Sequence, residues 1–277
     1  MQIEENISLA QFSTLRVGGS ADFFARVRNL SELKSALEFA DSKKIPVFVL
    51  GGGSNILFAD TGFRGLVIRN EIGGIEFANN FVHVGSGENL ANLIAQTAQK
   101  NLAGLENLAG VPGSVGGAVV GNSNEIGEKI ARVTILENGV EKIIPRADLK
   151  FEYRDSNLRE KILIAVEFEL EKSSLDLPKI IQTKIAEKVQ QQEFKNTAGS
   201  WFKNPVGGKA WELIEKSGAR DLQIGGARIS AKHANFFENA GGATAADFLE
   251  LEKIVQAKVK EKFGIELDRE VVFVDEK

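Results

Sequence analysis

The chain has 277 residues, a formal net charge of −4, and 43% hydrophobic against 26% charged residues, the balance of a folded globular protein with one large or two medium domains and a sizeable core. It has no cysteine and only two histidines, His83 and His233, which excludes disulfides, thiol catalysis and cysteine-bound clusters and leaves no ligand set for zinc or non-haem iron, so no metal is expected. The mild negative charge argues against a nucleic-acid partner, no stretch reaches the roughly 20 apolar residues of a membrane span, and the acidic start Met1-Gln2-Ile3-Glu4-Glu5 lacks the basic and apolar segments of a signal peptide, so a cytoplasmic location without membrane insertion is expected.

Residues 23–27 suit a strand. Ser31 is expected to cap a helix running to about Ser42, with Leu33, Ala36, Leu37 and Ala40 on one face. Val47-Phe48-Val49-Leu50 reads as a buried strand, giving a βαβ unit followed at once by Gly51-Gly52-Gly53-Ser54-Asn55. A second unit begins near residue 66, where Val82 and Val84 suit a strand and Leu90, Leu93, Ile94, Thr97 and Ala98 mark a helix. Residues 110–127 read as one long loop. Strands are expected at 133–136 and 141–144 around an Asn138-Gly139 hairpin turn, and again at 162–170. The polar stretch 171–178, ending in Pro178, suits a linker. Beyond it, Ile181, Ile185 and Val189 mark a helix, and Leu213 and Ile214 a short one that Gly218 can end. Thr244 and Asp247 form a capping-box start to a helix carrying Phe248, Leu251, Val255 and Val259, and residues 271–274 close the chain as a strand. The expected class is α+β, in three segments: 1–67, 68–172 and 173–277.

Glycine clusters at 51–53, 110–127 and 225–242, as where backbone approaches a ligand. The first loop follows a strand directly, and consecutive N–H groups with the Ser54 hydroxyl would make an anion-binding concavity; the plain alternative is a tight turn between strands. It is not a Walker A loop, because no Gly-Lys-Ser/Thr follows, and Ile56-Leu57-Phe58 reads as extended chain rather than the helix a dinucleotide fingerprint opens. The second loop carries seven glycines between Gly104 and Gly127, and its valines argue against disorder. Two such loops in consecutive segments suit an extended dinucleotide. Arg154 within Phe151-Glu152-Tyr153-Arg154-Asp155-Ser156 offers a planar cation to an anion, or else a surface pair with Glu152 or Asp155. Gly199-Ser200-Trp201-Phe202-Lys203-Asn204-Pro205 sets serine, lysine and asparagine beside a glycine, and reads equally as a plain turn. His233 and His83 read as structural, and Glu270 as a strand-edge carboxylate.

The order of these motifs resembles the UDP-N-acetylenolpyruvoylglucosamine reductase family along nearly the whole chain. The matching positions are Gly51-Gly52-Gly53-Ser54-Asn55, Gly110 to Gly117, Tyr153-Arg154-Asp155-Ser156, Gly199-Ser200 to Pro205, Ser230 to Phe236, and Leu267-Asp268-Arg269-Glu270-Val271. The glycine loops alone would indicate only the wider vanillyl-alcohol-oxidase-type FAD-binding family. The short stretch between Arg154 and Ser200 is similar to the compact type that lacks an extra tyrosine-bearing loop.

The resemblance implies a two-subdomain, PCMH-type FAD-binding module (1–67 and 68–172), then a smaller α+β substrate-binding domain (173–277). FAD would be held by Gly51, Gly52, Gly53, Ser54 and Asn55 and by Gly113, Ser114, Gly116, Gly117, Ala118 and Asn122. NADPH would be the co-substrate, with hydride passing through FAD N5 to the enolpyruvyl group of a UDP-amino sugar to give UDP-N-acetylmuramate for peptidoglycan. Ser200 would donate the proton, with Arg154 and Glu270 stabilising the intermediate. Tyr153 would line the substrate pocket, and Lys203 and Asn204 would lie near the diphosphate. A monomer is expected. Residues 121–127 depart from the family's usual run. The alternatives are another FAD-dependent sugar or hydroxy-acid oxidoreductase of the same fold, or a non-catalytic nucleotide-binding protein.

Overall fold

The computed structural model of the chain describes residues 1–192 and 195–275. Strands β1 (Ile3–Ser8) and β2 (Ser20–Val27) precede helix α1 (Leu30–Lys43); β3 (Val47–Leu50), β4 (Ile56–Phe58), β5 (Phe63–Asn70), β6 (Ile75–Ala78) and β7 (Phe81–Gly85) lead to α2 (Leu90–Gln99). Then come β8 (Leu102–Ala103), α3 (Val115–Val120), β9 (Ile130–Glu137), β10 (Val140–Pro145), β11 (Phe151–Glu152), β12 (Asp155–Ser156), β13 (Ile162–Glu169), β14 (Glu171–Lys172) and α4 (Leu177–Gln191). The last elements are β15 (Thr197–Ser200), α5 (Ala210–Lys216), β16 (Gln223–Ile224), β17 (Ala227–Ile229), β18 (Phe236–Asn239), α6 (Ala245–Phe263) and β19 (Val272–Val274). Helix and strand mix throughout, as the α+β reading expects.

Contacts group the chain into two compact units: Met1–Glu4, Phe24–Gly52 and Leu66–Lys188 in the first, and Glu5–Phe23, Gly53–Gly65 and Val189–Lys277 in the second. This grouping cuts across the expected boundary near residue 67. The reason lies in pairings between residues far apart in sequence. β4 pairs in parallel with β19, Val272 opposite Ile56. The Asp60 carboxylate accepts the Ala245 and Ala246 N–H groups at 2.7 and 3.0 Å, placing negative charge on the amino end of α6 where the helix dipole favours it.

In the first unit, β10, β9, β13, β7 and β6 form an antiparallel sheet in that order. Alternation along β7 and β9 sends Val82, Val84, Val133 and Ile135 inward, against Leu90, Leu93 and Ile94 of α2 and Val115 and Val119 of α3. Each fully buried aliphatic side chain of this kind stabilises by about 1.5–3 kcal/mol. The β9–β10 hairpin turns at Asn138 and Gly139, both with positive φ (52° and 75°), as the two-residue turn requires. Two expectations change here. Asn29 rather than Ser31 caps α1, accepting from the Glu32 N–H at 2.9 Å, because Asn29 is the last residue still extended. Pro178 lies in the first turn of α4, not at the end of a linker; Asp176 accepts the Lys179 N–H at 3.1 Å, and a proline there forfeits no helical bond. β3 takes β5 as its parallel neighbour, Val47 opposite Leu66, and β5 lies between β2 and β3 in the sheet.

In the second unit, β15, β18, β17 and β16 form an antiparallel sheet. Trp201, Phe202, Phe237, Phe248, Leu251, Val255 and Val259 make its core with α6. Trp201 stacks between Phe237 and Phe248, with ring centroids 4.6 and 5.2 Å away. Thr244 and Asp247 make the expected capping box.

Candidate active site

The two glycine loops meet in the first unit, backbone on backbone. A Cβ built on Gly51 would lie 2.4 Å from Ser114 Oγ, and one on Gly52 would lie 2.4 Å from Gly113 Cα and 2.9 Å from Ser114 N. Only residues without side chains allow this approach. The first loop's carbonyls turn into the protein: Gly51 O accepts from the Arg69 guanidinium, and, in the second unit, Gly53 O accepts from Thr14 N at 3.0 Å. A trans peptide directs its N–H opposite to its C=O. The Gly52 N–H therefore points away from Arg69, the orientation a backbone anion cradle needs.

The second loop differs from its expected form. Residues 115–120 are helical, with Ser114 as cap, its Oγ accepting from Gly117 N at 3.3 Å. Val115 N donates to Glu88 O and Gly116 N to Ser86 O. The amino end of α3 is thus satisfied within the protein, and this loop offers a ligand a closely approachable surface more than a set of donors. Asn122 is buried in the left-handed region (φ 43°). Its amide donates to Glu152 O at 2.8 Å and accepts from Gly127 N at 3.1 Å, tying the atypical run 121–127 to β11.

Asn122, Glu152, Tyr153 and Arg154 line a cavity of about 740 Å³ in the first unit, with Asn107, Asn124, Glu125, Glu128, Arg146 and Phe151. Arg154 has a left-handed backbone (φ 57°). Its carbonyl accepts from Arg159 Nη2 at 2.7 Å, and Asp155 pairs with Arg159. Its guanidinium lies 6.0 Å from the Tyr153 ring. Lys188, which lies outside the sequence motifs, reaches the start of the second glycine loop from α4, donating to Ala109 O at 2.6 Å. Burial, then the charges of Lys184 and Arg154, hold its ammonium below the ordinary lysine pKa. Its signal was its place on the Ile181–Ile185 face of α4.

In the second unit, Ser200 ends β15 just after a bulge. Thr197 pairs with Glu238 but Ser200 with Phe236, so three steps on β15 match two on β18. Gly199 absorbs the extra residue with φ 79°. Such a bulge bends the strand and re-aims the next side chain. Ser200 and Glu270 are both half-buried and sit on neighbouring backbone. Glu270 N donates to Trp201 O at 2.8 Å, Lys203 N to Asp268 O at 2.8 Å, and Phe202 bridges to Arg269. Asn55 of the first loop donates to Glu270 O at 3.1 Å. Asn204 Oδ1 accepts from Ala210 N at 3.0 Å, so this side chain helps start α5. Asn235, unremarked within its motif, is buried and fastens the segment: its Oδ1 accepts from Phe202 N at 3.0 Å and its Nδ2 donates to Phe202 O at 2.8 Å. His233 Nδ1 accepts from Asn235 N at 3.3 Å, and its ring stands 4.6 Å from Phe236. Burial, then the Arg220 charge, push its pKa below 6.5, in keeping with a structural histidine.

A backbone-lined glycine cradle on an α+β module defines a nucleotide-cofactor protein, and the cofactor follows from the family model described as FAD binding domain, which matches residues 21–135 and spans both loops. The protein is an FAD-dependent oxidoreductase. The model described as UDP-N-acetylenolpyruvoylglucosamine reductase, C-terminal domain, matches residues 189–274. Reductases of that name from Protochlamydia amoebophila and Trichlorobacter lovleyi are 39% and 38% identical, over 99% and 96% of this chain and 94% and 91% of theirs. The crystal structure of the Thermus caldophilus UDP-N-acetylenolpyruvylglucosamine reductase superposes with a TM-score of 0.85 at 32% identity, covering 99% of both chains. The chain belongs to the UDP-N-acetylenolpyruvoylglucosamine reductase family. No helix among the described residues is long and apolar enough to cross a membrane.

Proposed function

We propose that this chain reduces the enolpyruvyl ether of UDP-N-acetylglucosamine enolpyruvate to UDP-N-acetylmuramate with NADPH, in the cytoplasm, as a monomer supplying peptidoglycan precursor. Segments 1–67 and 68–172 form the two FAD-binding subdomains and 173–277 the substrate-binding domain. Gly51, Gly52, Gly53, Ser54 and Asn55 hold the cofactor, with Gly113, Ser114, Gly116, Gly117, Ala118 and Asn122 forming or bracing the facing wall. When bound, FAD supplies hydride acceptance from NADPH and hydride delivery to the enolpyruvyl CH₂ carbon.

The protein's share is charge and proton management. Adding hydride to the CH₂ carbon leaves an electron pair on C2, shared with the carboxylate. Arg154 carries a permanent planar cation suited to that developing charge, where fixed electrostatics stabilise most. Ser200 gives its hydroxyl proton to C2, completing the C–H bond, and recovers one from its surroundings. A hydrogen bond donated by Glu270 steadies the same charge. Lys203 and Asn204 take the diphosphate, and Tyr153 closes the sugar side. The observation that carries this reading is the bulge at Gly199, which immediately precedes Ser200 at the end of β15, beside the backbone that carries Glu270.

The test separates the half-reactions. Ser200→Ala should let NADPH bleach the yellow flavin normally under anaerobic conditions, while the sugar restores the colour roughly 10²- to 10⁴-fold more slowly, the usual contribution of a general acid. Equal slowing of both steps would remove Ser200 from the proton transfer.

A further inference from the structure

Glu252 is a carboxylate in the wrong place for a surface residue. It lies on the inward stripe of α6 with Phe248, Leu251 and Val255, only 5% exposed. Burying a carboxylate costs heavily unless every lone pair finds a partner, and this one is well supplied. Its Oε2 accepts from Trp201 Nε1 at 2.9 Å and Arg269 Nε at 2.7 Å, and its Oε1 accepts from Arg269 Nη2 at 2.9 Å. Both donors belong to the two backbone segments already joined by the Glu270 N to Trp201 O bond and the Phe202–Arg269 bridge. Trp201 follows Ser200, and Arg269 precedes Glu270. One buried carboxylate thus braces, from α6, the immediate neighbours of both residues.

We infer that Glu252 is a positioning residue: by gripping Trp201 and Arg269 together it sets the spacing and aim of Ser200 and Glu270. The inference rests on the roles proposed for those two. Its chemistry suits the task. The Arg269 fork is bidentate and planar, so it fixes direction as well as distance, and Trp201, stacked between Phe237 and Phe248, has no freedom to follow if the grip is released on one side only.

The experiment replaces the clamp with apolar groups of similar shape, W201F/E252L/R269M, so that no buried charge or donor is orphaned and stability is kept. The variant should melt near the parent temperature, retain FAD, and be reduced by NADPH at the parent rate. Reoxidation by the enolpyruvyl UDP-sugar should fall roughly 10- to 100-fold, the penalty of a displacement near 1 Å at a reacting group. A variant that melts like the parent and reoxidises at the parent rate would reduce the clamp to a fold support. Should the triple variant not fold, Glu252→Gln, which sets an amide donor against Trp201 or Arg269, should give the same one-sided slowing; equal slowing of both half-reactions there overturns the inference. Ser200→Ala, measured in parallel, separates the two ideas. If it slows reoxidation and the clamp variants do not, the positioning role alone fails; if it does not, the reading of Ser200 fails and the positioning role with it.

Discussion

Gly52→Ala tests whether the meeting of the two glycine loops holds the cofactor. The new Cβ would sit 2.4 Å from Gly113 Cα, 2.8 Å from Gly113 C and 2.9 Å from Ser114 N. All three are backbone atoms, so no side chain can swing aside. Ordinary contact begins at 3.4 Å, so the loops must part by about 1 Å or the backbone must strain. Overpacking of this kind costs about 1–3 kcal/mol. Loops forced apart would no longer present the cradle at the spacing FAD needs. The strain should therefore appear as weaker binding, roughly 5- to 150-fold in Kd at 1.4 kcal/mol per decade. Titration of apoprotein with FAD, followed by flavin fluorescence, measures this, with melting of apo and loaded protein alongside. Gly208→Ala is the control, because its Cβ would meet only Leu213 Cδ1 at 3.9 Å. A variant that binds FAD like the parent refutes the reasoning, whether or not its apo form melts lower.

Gly199→Ala meets no atom within 4 Å but keeps a φ of 79°, so its cost is purely the left-handed backbone, about 1–2 kcal/mol. The melting temperature should fall by roughly 2–8 °C, and reoxidation by the sugar should slow along with it, since relief of the strain reshapes the bulge beneath Ser200. The Asp247 carboxylate, held below its usual 3.8 mainly by the Thr244 backbone N–H, binds fewer protons folded than unfolded. Its stabilising effect is complete above that value and fades as pH falls through the folded pKa, so Asp247→Asn should flatten the acid limb of a stability-against-pH curve below about pH 4. His233, lowered from 6.5 by burial and then by Arg220, also takes up more protons unfolded. The parent should lose stability as pH drops below 6.5, and His233→Gln should abolish that component in paired melts; an unchanged slope would mean that the ring is not held neutral.

What was legible in the sequence was whatever is encoded locally. The Thr244/Asp247 box, the Asn138-Gly139 turn and the alternating valines and isoleucines of β9 and β13 each carry their signal within a few residues, and each forms as expected. What was illegible is held by distant chain. α3 is six residues long with two internal glycines, a poor helix by propensity; it stands because Ser114 caps it and because Gly116 lets the Ser86 backbone approach to 2.9 Å of where a Cβ would be. β16, β17 and β18 span two to four residues and include Arg228, Glu238 and Asn239, too short and too polar for a period-2 pattern. Their Gly225-Gly226 turn was the one usable hint. The β4–β19 pairing sets Ile56 opposite Val272, a separation no local window contains.

The site divides along the same line. Glycine loops announce themselves because close backbone approach admits only one residue type, and Arg154, Ser200 and Glu270 stand out through their motifs. The residues that hold them do not. Asn235 and Glu252 are ordinary by type, and only the fold turns their amide and carboxylate inward. Yet Glu252 had a signal: at positions 248, 251, 252 and 255 it completes an i, i+3, i+4, i+7 stripe, the spacing of a buried helix face. A charged residue on such a stripe must find partners in the interior. Here the partners adjoin the two residues proposed to carry the chemistry, so a carboxylate out of place in the apolar pattern points at the proposed site from about 50 residues away as directly as the serine motif does.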